Sequence, residues 1–90
     1  MIRYARHHDL RLTALEGEGV VLHLGTRRYY TVSESGLDLL EALRTPQSLA
    51  DLVGVLTAKY AVSAADAESA TRAFVEQGQR SGLLTVEDGS

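Results

Sequence analysis

Three histidines are the side chains best suited to metal ligation or proton transfer near neutrality, and their spacing serves neither. His7 and His8 are adjacent, so neither a helix nor a strand would present both on one face, and His23 stands alone. There is no cysteine to act as nucleophile or thiolate ligand. No histidine lies near a plausible nucleophile in sequence, and neither a glycine-rich phosphate loop nor a paired-carboxylate motif occurs. Ser33, Ser48 and Ser63 stand where each can cap a helix, which accounts for them without catalysis. The residues therefore predict no enzyme, no metal and no cofactor.

What remains is chemistry of the backbone. In Arg27-Arg28-Tyr29-Tyr30-Thr31-Val32-Ser33-Glu34-Ser35-Gly36 an aromatic, β-branched run stops at a serine that can cap a helix, so a strand and a helix join with almost no linker. A short strand beside helices can keep its outer N–H and C=O groups unpaired, and such an edge can accept an extended peptide by strand addition.

The elements that must hold this edge are legible as changes of period. Leu10, Leu12 and Ala14 alternate with Arg11 and Thr13; Val20, Leu22 and Leu24 alternate with Val21 and His23. Glu16-Gly17-Glu18-Gly19 separates these two strands, and Gly25-Thr26-Arg27 leads into a third over residues 28–32, completing a meander. From Ser33 the spacing becomes helical through Leu37, Leu39, Leu40 and Leu43, until Thr45-Pro46 ends the run. Ser48-Leu49-Ala50-Asp51 has the shape of a capping box and opens a second helix through Leu52, Val53, Leu56 and Tyr60. Ser63 opens a third, through Ala67, Ala70, Phe74 and Val75 to Arg80, with Gly82 as its stop. Leu83, Leu84 and Val86 are expected to dock the tail, and residues 87–90 to fray. The expected class is α+β, in the order βββααα, forming one domain over residues 1–90.

Charge narrows the partners. The net charge of −3 divides into +2 over residues 1–28 and −5 over residues 29–90. A nucleic-acid surface needs clustered cations to neutralise phosphates, and the helical part carries the opposite balance. The charged start is not followed by the apolar block of a secretory signal, and no segment approaches the roughly 20 apolar residues of a membrane span. A soluble, cytoplasmic protein is expected; the lack of cysteine agrees with a reducing compartment.

Taken in order, Val20 to Leu24, the turn, Arg28 to Val32, Ser33-Glu34-Ser35-Gly36, Ser48-Leu49-Ala50-Asp51-Leu52, Phe74-Val75 and Ser81-Gly82-Leu83-Leu84 resemble the PQQ synthesis protein D superfamily. The resemblance spans about residues 10–85 and rests on apolar spacing and order more than on any one motif. It implies a three-stranded antiparallel sheet on a three-helix, winged-helix-turn-helix-like bundle that binds the leader of a ribosomal precursor peptide. The leader would add to the third strand, here Arg28, Tyr29, Tyr30, Thr31 and Val32. The other wall would be the third helix, with Ala67, Ala70, Thr71, Phe74 and Gly78. Apart from the resemblance, Arg27 and Arg28 could pair with acidic groups of the leader; the competing reading is that an arginine pair in a hairpin turn is solvated charge. Within the superfamily the chain looks most like the free-standing leader-binding proteins of lasso-peptide pathways, whose partners are a separate leader peptidase and a macrolactam cyclase. Three departures stand out: the turn Thr26-Arg27-Arg28 lacks the glycine common before the arginine, Val32-Ser33 stands where Leu-Asn is usual, and Gly78 occupies a helix position where leucine is usual.

Energetics says what such a site needs. About four or five added backbone hydrogen bonds, at roughly 1 kcal/mol net each, barely offset an ordering cost of about 2–5 kcal/mol for a disordered segment. Buried leader side chains, at about 1.5–3 kcal/mol each, must supply the rest. Pockets beside the strand are therefore expected to set specificity, with Ala67, Ala70 and Gly78 leaving room beside Phe74; the alternative is that this small-residue face packs closely on the sheet, with Gly78 a packing position or a frayed turn. Tyr30 and Val32 are expected to face the core, and Tyr29 and Thr31 the ligand. The competing expectation is a small winged-helix regulator reading DNA with its third helix, which from Asp66 to Arg80 carries a net charge of −1.

Overall fold

A computed structural model describes residues 2–88. The elements are β1 (Ile2–Arg6), β2 (Leu10–Leu15), β3 (Glu18–His23), β4 (Arg28–Ser33), α1 (Glu34–Ala42), α2 (Leu49–Lys59), α3 (Ala64–Arg80) and β5 (Leu84–Asp88). The fold is α+β, with an antiparallel meander β2-β3-β4 and three helices.

The expected order βββααα is incomplete at both ends. β1 and β5 form a second, two-stranded antiparallel sheet, with Arg3 opposite Glu87 and Tyr4 opposite Val86. Glu87 and Asp88 are thus paired rather than frayed; residues 89–90, expected to fray with them, lie outside the described residues. Neither strand has a local turn partner, and the distant pairing satisfies the backbone groups along one side of each. Tyr4 also exchanges both backbone bonds with Gln47, at 2.7 and 2.9 Å, which ties this sheet to the α1–α2 connection.

The helices begin where capping chemistry requires. Ser33, Ser48 and Ser63 accept from the N–H groups of Gly36, Asp51 and Asp66, and Asp51 returns a bond to Ser48, closing the capping box. α3 ends at Gly82, φ 75°, with Leu83 N–H on the Gly78 carbonyl and Gly82 N–H on that of Gln79, a Schellman stop. Leu39, Leu40, Leu43, Leu52 and Val21 are buried together at the centre.

The alternation in β3 has the right period and the opposite phase. Gly19, Val21 and His23 face inward, while Val20 and Leu22 are half-buried on the outer face and Leu24 is exposed. Gly19 is inside because Leu37 comes so close that a Cβ there would lie 3.0 Å from its Cδ1. His23 is inside because its Nδ1 accepts from Gly25 N–H and Thr26 N–H, fixing the turn into β4.

Candidate functional site

β4 is an edge strand, bonded to β3 and to no other strand among the described residues. Which of its groups point outward follows from two backbone contacts of β3 and its turn. Leu24 N–H donates to Asp9 O, so the backbone at Leu24 points toward β2; Arg27 N–H closes the turn on His23 O. Backbone direction alternates along an antiparallel strand. His23, Val21 and Gly19 therefore bond toward their partners Arg28, Tyr30 and Val32. The N–H and C=O groups of Tyr29 and Thr31 are directed away from the sheet.

The side chains of β4 divide the other way. Arg28, Tyr30 and Val32 lie on the face toward the helices: Tyr30 donates its hydroxyl to Ser81 O at 3.4 Å, and both Tyr30 and Val32 pack against the core. Tyr29 and Thr31 stand on the outer face, Tyr29 with 73% of its surface exposed. These two thus offer backbone to the edge while their side chains point away from the helices.

Along this edge runs a trough of three contiguous cavities. The central one, about 410 Å³, lies between the start of α1 (Ser35, Gly36) and the α3 residues Ala70, Ala73, Phe74 and Gln77. One end, about 530 Å³, lies between Arg28 and Tyr30 of β4 and Gln77, Arg80 and Ser81. The other, about 320 Å³, is floored by Leu56, Ala67 and Ala70 and rimmed by Glu34 and Asp66. Gly36 lies against the Phe74 ring, where a Cβ would sit in ordinary contact at 3.5 Å.

Of the residues expected on the α3 wall, Ala67, Ala70 and Phe74 line the trough. Thr71 and Gly78 do not. Thr71 is fully buried, its hydroxyl donating to Ala67 O at 2.7 Å, and Gly78 faces β5, where a Cβ would lie 2.7 Å from Leu84 Cδ1. The expected small-residue face mixed two helical faces: residues 71, 75 and 78 pack inward, Ala67 is buried yet floors one cavity, and 70, 73, 74 and 77 border the trough. Ala73, Gln77, Arg80 and the α1 start were missed; the shift of the trough face from Ala67 through Ala70 to Gln77 was the available signal.

Arg27 sits in the turn at φ 61°, the left-handed conformation that favours glycine, which accounts for the glycine common at this position. It is exposed and lines none of the three cavities.

Beside the acidic rim, Asp38 accepts from Tyr60 Oη at 2.5 Å and from Lys59 Nζ at 3.0 Å, and Lys59 also approaches Glu34 at 3.8 Å. Burial pushes the Asp38 carboxyl up, but the bonds from Tyr60 and Lys59 and the lysine charge together hold it below its ordinary value. The same contacts raise Lys59 and Tyr60.

The histidines are gathered more closely than their spacing suggests. His23 is not alone: its ring centroid lies 4.4 Å from that of His7, which stacks on His8 at 4.6 Å. His7, His8 and Asp9 bring ligand atoms within 4.8 Å of one another. Nδ1 of His7 accepts from Asp9 N–H, as Nδ1 of His23 does from its turn, so these two nitrogens fix the β1–β2 and β3–β4 turns.

Residues 18–84 match the family described as Coenzyme PQQ synthesis protein D (PqqD). The chain belongs to the PqqD family. Two solved structures share the fold of this PqqD-family protein. "TbiB1 in Complex with the TbiA(beta) Leader Peptide" is 22% identical with a TM-score of 0.76, over 96% of each chain. "Lasso peptide synthetase B1 complexed with the leader peptide" is 21% identical with a TM-score of 0.74, over 91% of this chain and 96% of that one. No curated protein matches the chain. No helix among the described residues is long and apolar enough to cross a membrane.

Proposed function

We propose that this PqqD-family protein is a non-catalytic carrier of a ribosomal precursor peptide. Its leader segment adds as a strand to β4 and lays side chains into the trough against α3. One observation carries the reading: the outward N–H and C=O groups of Tyr29 and Thr31 belong to a strand whose Arg28, Tyr30 and Ser33 line the cavities that continue to Ala70 and Phe74. The backbone edge supplies register, and the cavities supply the apolar burial that the hydrogen bonds alone lack.

That the two fold relatives are complexed with leader peptides supports a leader as the ligand. The three-stranded sheet beside three helices supports a winged-helix-like arrangement, but the acidic balance of α3 speaks against DNA as its ligand. The partners in this reading are the leader, a leader peptidase and a macrolactam cyclase of a lasso-peptide or related pathway, in the cytoplasm. Holding the precursor near those enzymes raises its effective concentration without chemistry by the carrier itself.

Fluorescence polarisation with the labelled leader of the precursor encoded beside this chain tests the reading. Saturable binding, competed by unlabelled leader and indifferent to duplex DNA, is expected. No association with the leader, or preference for DNA, would overturn it.

A further inference from the structure

The trough is electrically polarised. Arg28, at the start of β4, and Arg80, in the last turn of α3, border the same end cavity, with Tyr30, Gln77, Ser81 and Thr26 between them. No carboxylate among the described residues lines that cavity. Arg28 has no ion-pair partner among the described residues, and Arg80 has only Glu76 at 3.9 Å, both side chains being largely exposed. At the far end the charged groups of the rim are Glu34 and Asp66, and the middle is apolar. Two cations from separate elements thus meet at one point of a chain whose residues 29–90 are net acidic.

We infer that the ligand is an acidic peptide segment, held by a carboxylate between Arg28 and Arg80, with an apolar side chain beside Ala70 and Phe74. This rests on the strand-addition reading above and adds the chemistry of the ligand to it. Opposite charge at a partly exposed site discriminates and steers more than it binds, so the arginines select among extended peptides that the edge alone would accept. The two ligand groups stand about four residues apart, the separation of Arg28 from Val32 along the strand. Every strand pair among the described residues is antiparallel. An added strand in that orientation enters at the Glu34–Asp66 end and leaves at the arginines, so its acidic residue follows the apolar one in sequence.

The test uses the full chain and the synthetic leader of the precursor encoded beside it, by fluorescence polarisation at several salt concentrations. Arg28→Gln and Arg80→Gln are each expected to raise Kd about two- to fivefold at low salt, with the difference shrinking as salt rises. Arg80→Glu is expected to weaken binding further, and a leader with its acidic residue changed to lysine to regain affinity for that variant. Arg80 is exposed, and circular dichroism of each variant checks that the helices persist. If the wild-type protein binds the leader and both glutamine variants bind equally well with unchanged salt dependence, the acidic-ligand inference fails while strand addition stands. If the wild-type protein binds no leader, both fail.

Discussion

Gly78 and Leu84 are in such close contact that a Cβ on the glycine would meet Cδ1 and Cγ of the leucine at 2.7 Å. The glycine lies inside α3, where it costs about 1 kcal/mol against alanine, and its place is set by the strand that packs across the helix. Gly78→Ala gains that propensity but overpacks a buried contact at a cost of about 1–3 kcal/mol. A net loss of about 1 kcal/mol is expected in urea unfolding, and in a Leu84→Ala background the same substitution should cost less or become favourable. A more stable single variant would show that β5 does not hold Leu84 against the helix.

Arg27 pays for its left-handed backbone, φ 61°, in the turn before β4. That conformation costs an L-residue about 1–2 kcal/mol, and part of the relief on substitution is lost to the greater freedom of glycine when unfolded. Arg27→Gly is expected to raise stability by about 0.5–1 kcal/mol, read as a higher urea midpoint with unchanged slope. A lower midpoint would mean that the arginine side chain makes a stabilising contact.

The Asp38–Tyr60–Lys59 group makes stability depend on pH at both extremes. The folded-state pKa of Asp38 is depressed, so its contribution is present above the unfolded value and is lost as pH falls through the folded one. Lys59 and Tyr60 are raised, so theirs is present below their unfolded values and is lost as pH rises through the folded ones. Urea midpoints should therefore decline below the ordinary aspartate pKa of about 3.9 and above about 10. Asp38→Asn should flatten both limbs; unchanged limbs in that variant would assign them to other groups.

Thr31→Pro removes an N–H that the fold itself leaves unused, because Thr31 directs its backbone away from β3. The variant should fold, and leader affinity should fall about fivefold or more, the equivalent of one hydrogen bond. Undiminished affinity in a folded variant would place the ligand off this edge.

Ala70→Trp fills the centre of the trough from the α3 side. Excluding one apolar leader side chain, at about 1.5–3 kcal/mol, should weaken binding about tenfold or more in fluorescence polarisation. Full affinity would locate the apolar contacts elsewhere.

Much of this was legible locally. The serine caps, the Gly82 stop and the break at Ser33 act through neighbouring residues, and the helices begin and end where they require. Features that depend on distant contacts were not. The β1–β5 pair joins the two ends of the chain, and the inward phase of β3 depends on Leu37 reaching Gly19. The same limit applies to the trough: Ala70 and Phe74 could be picked out on α3, but Gly78 could be assigned to packing only once Leu84 was seen against it, and Arg80 joins Arg28 only through the fold.

Amide hydrogen exchange along β4, with and without the leader, tests the central claim most directly. Tyr30 and Val32 bond toward β3 already, so their amides should be protected in the free protein, while those of Tyr29 and Thr31 should exchange fast and slow markedly when leader is added. Unchanged exchange at Tyr29 and Thr31 under saturating leader, or new protection along β2 instead, would contradict strand addition at this edge.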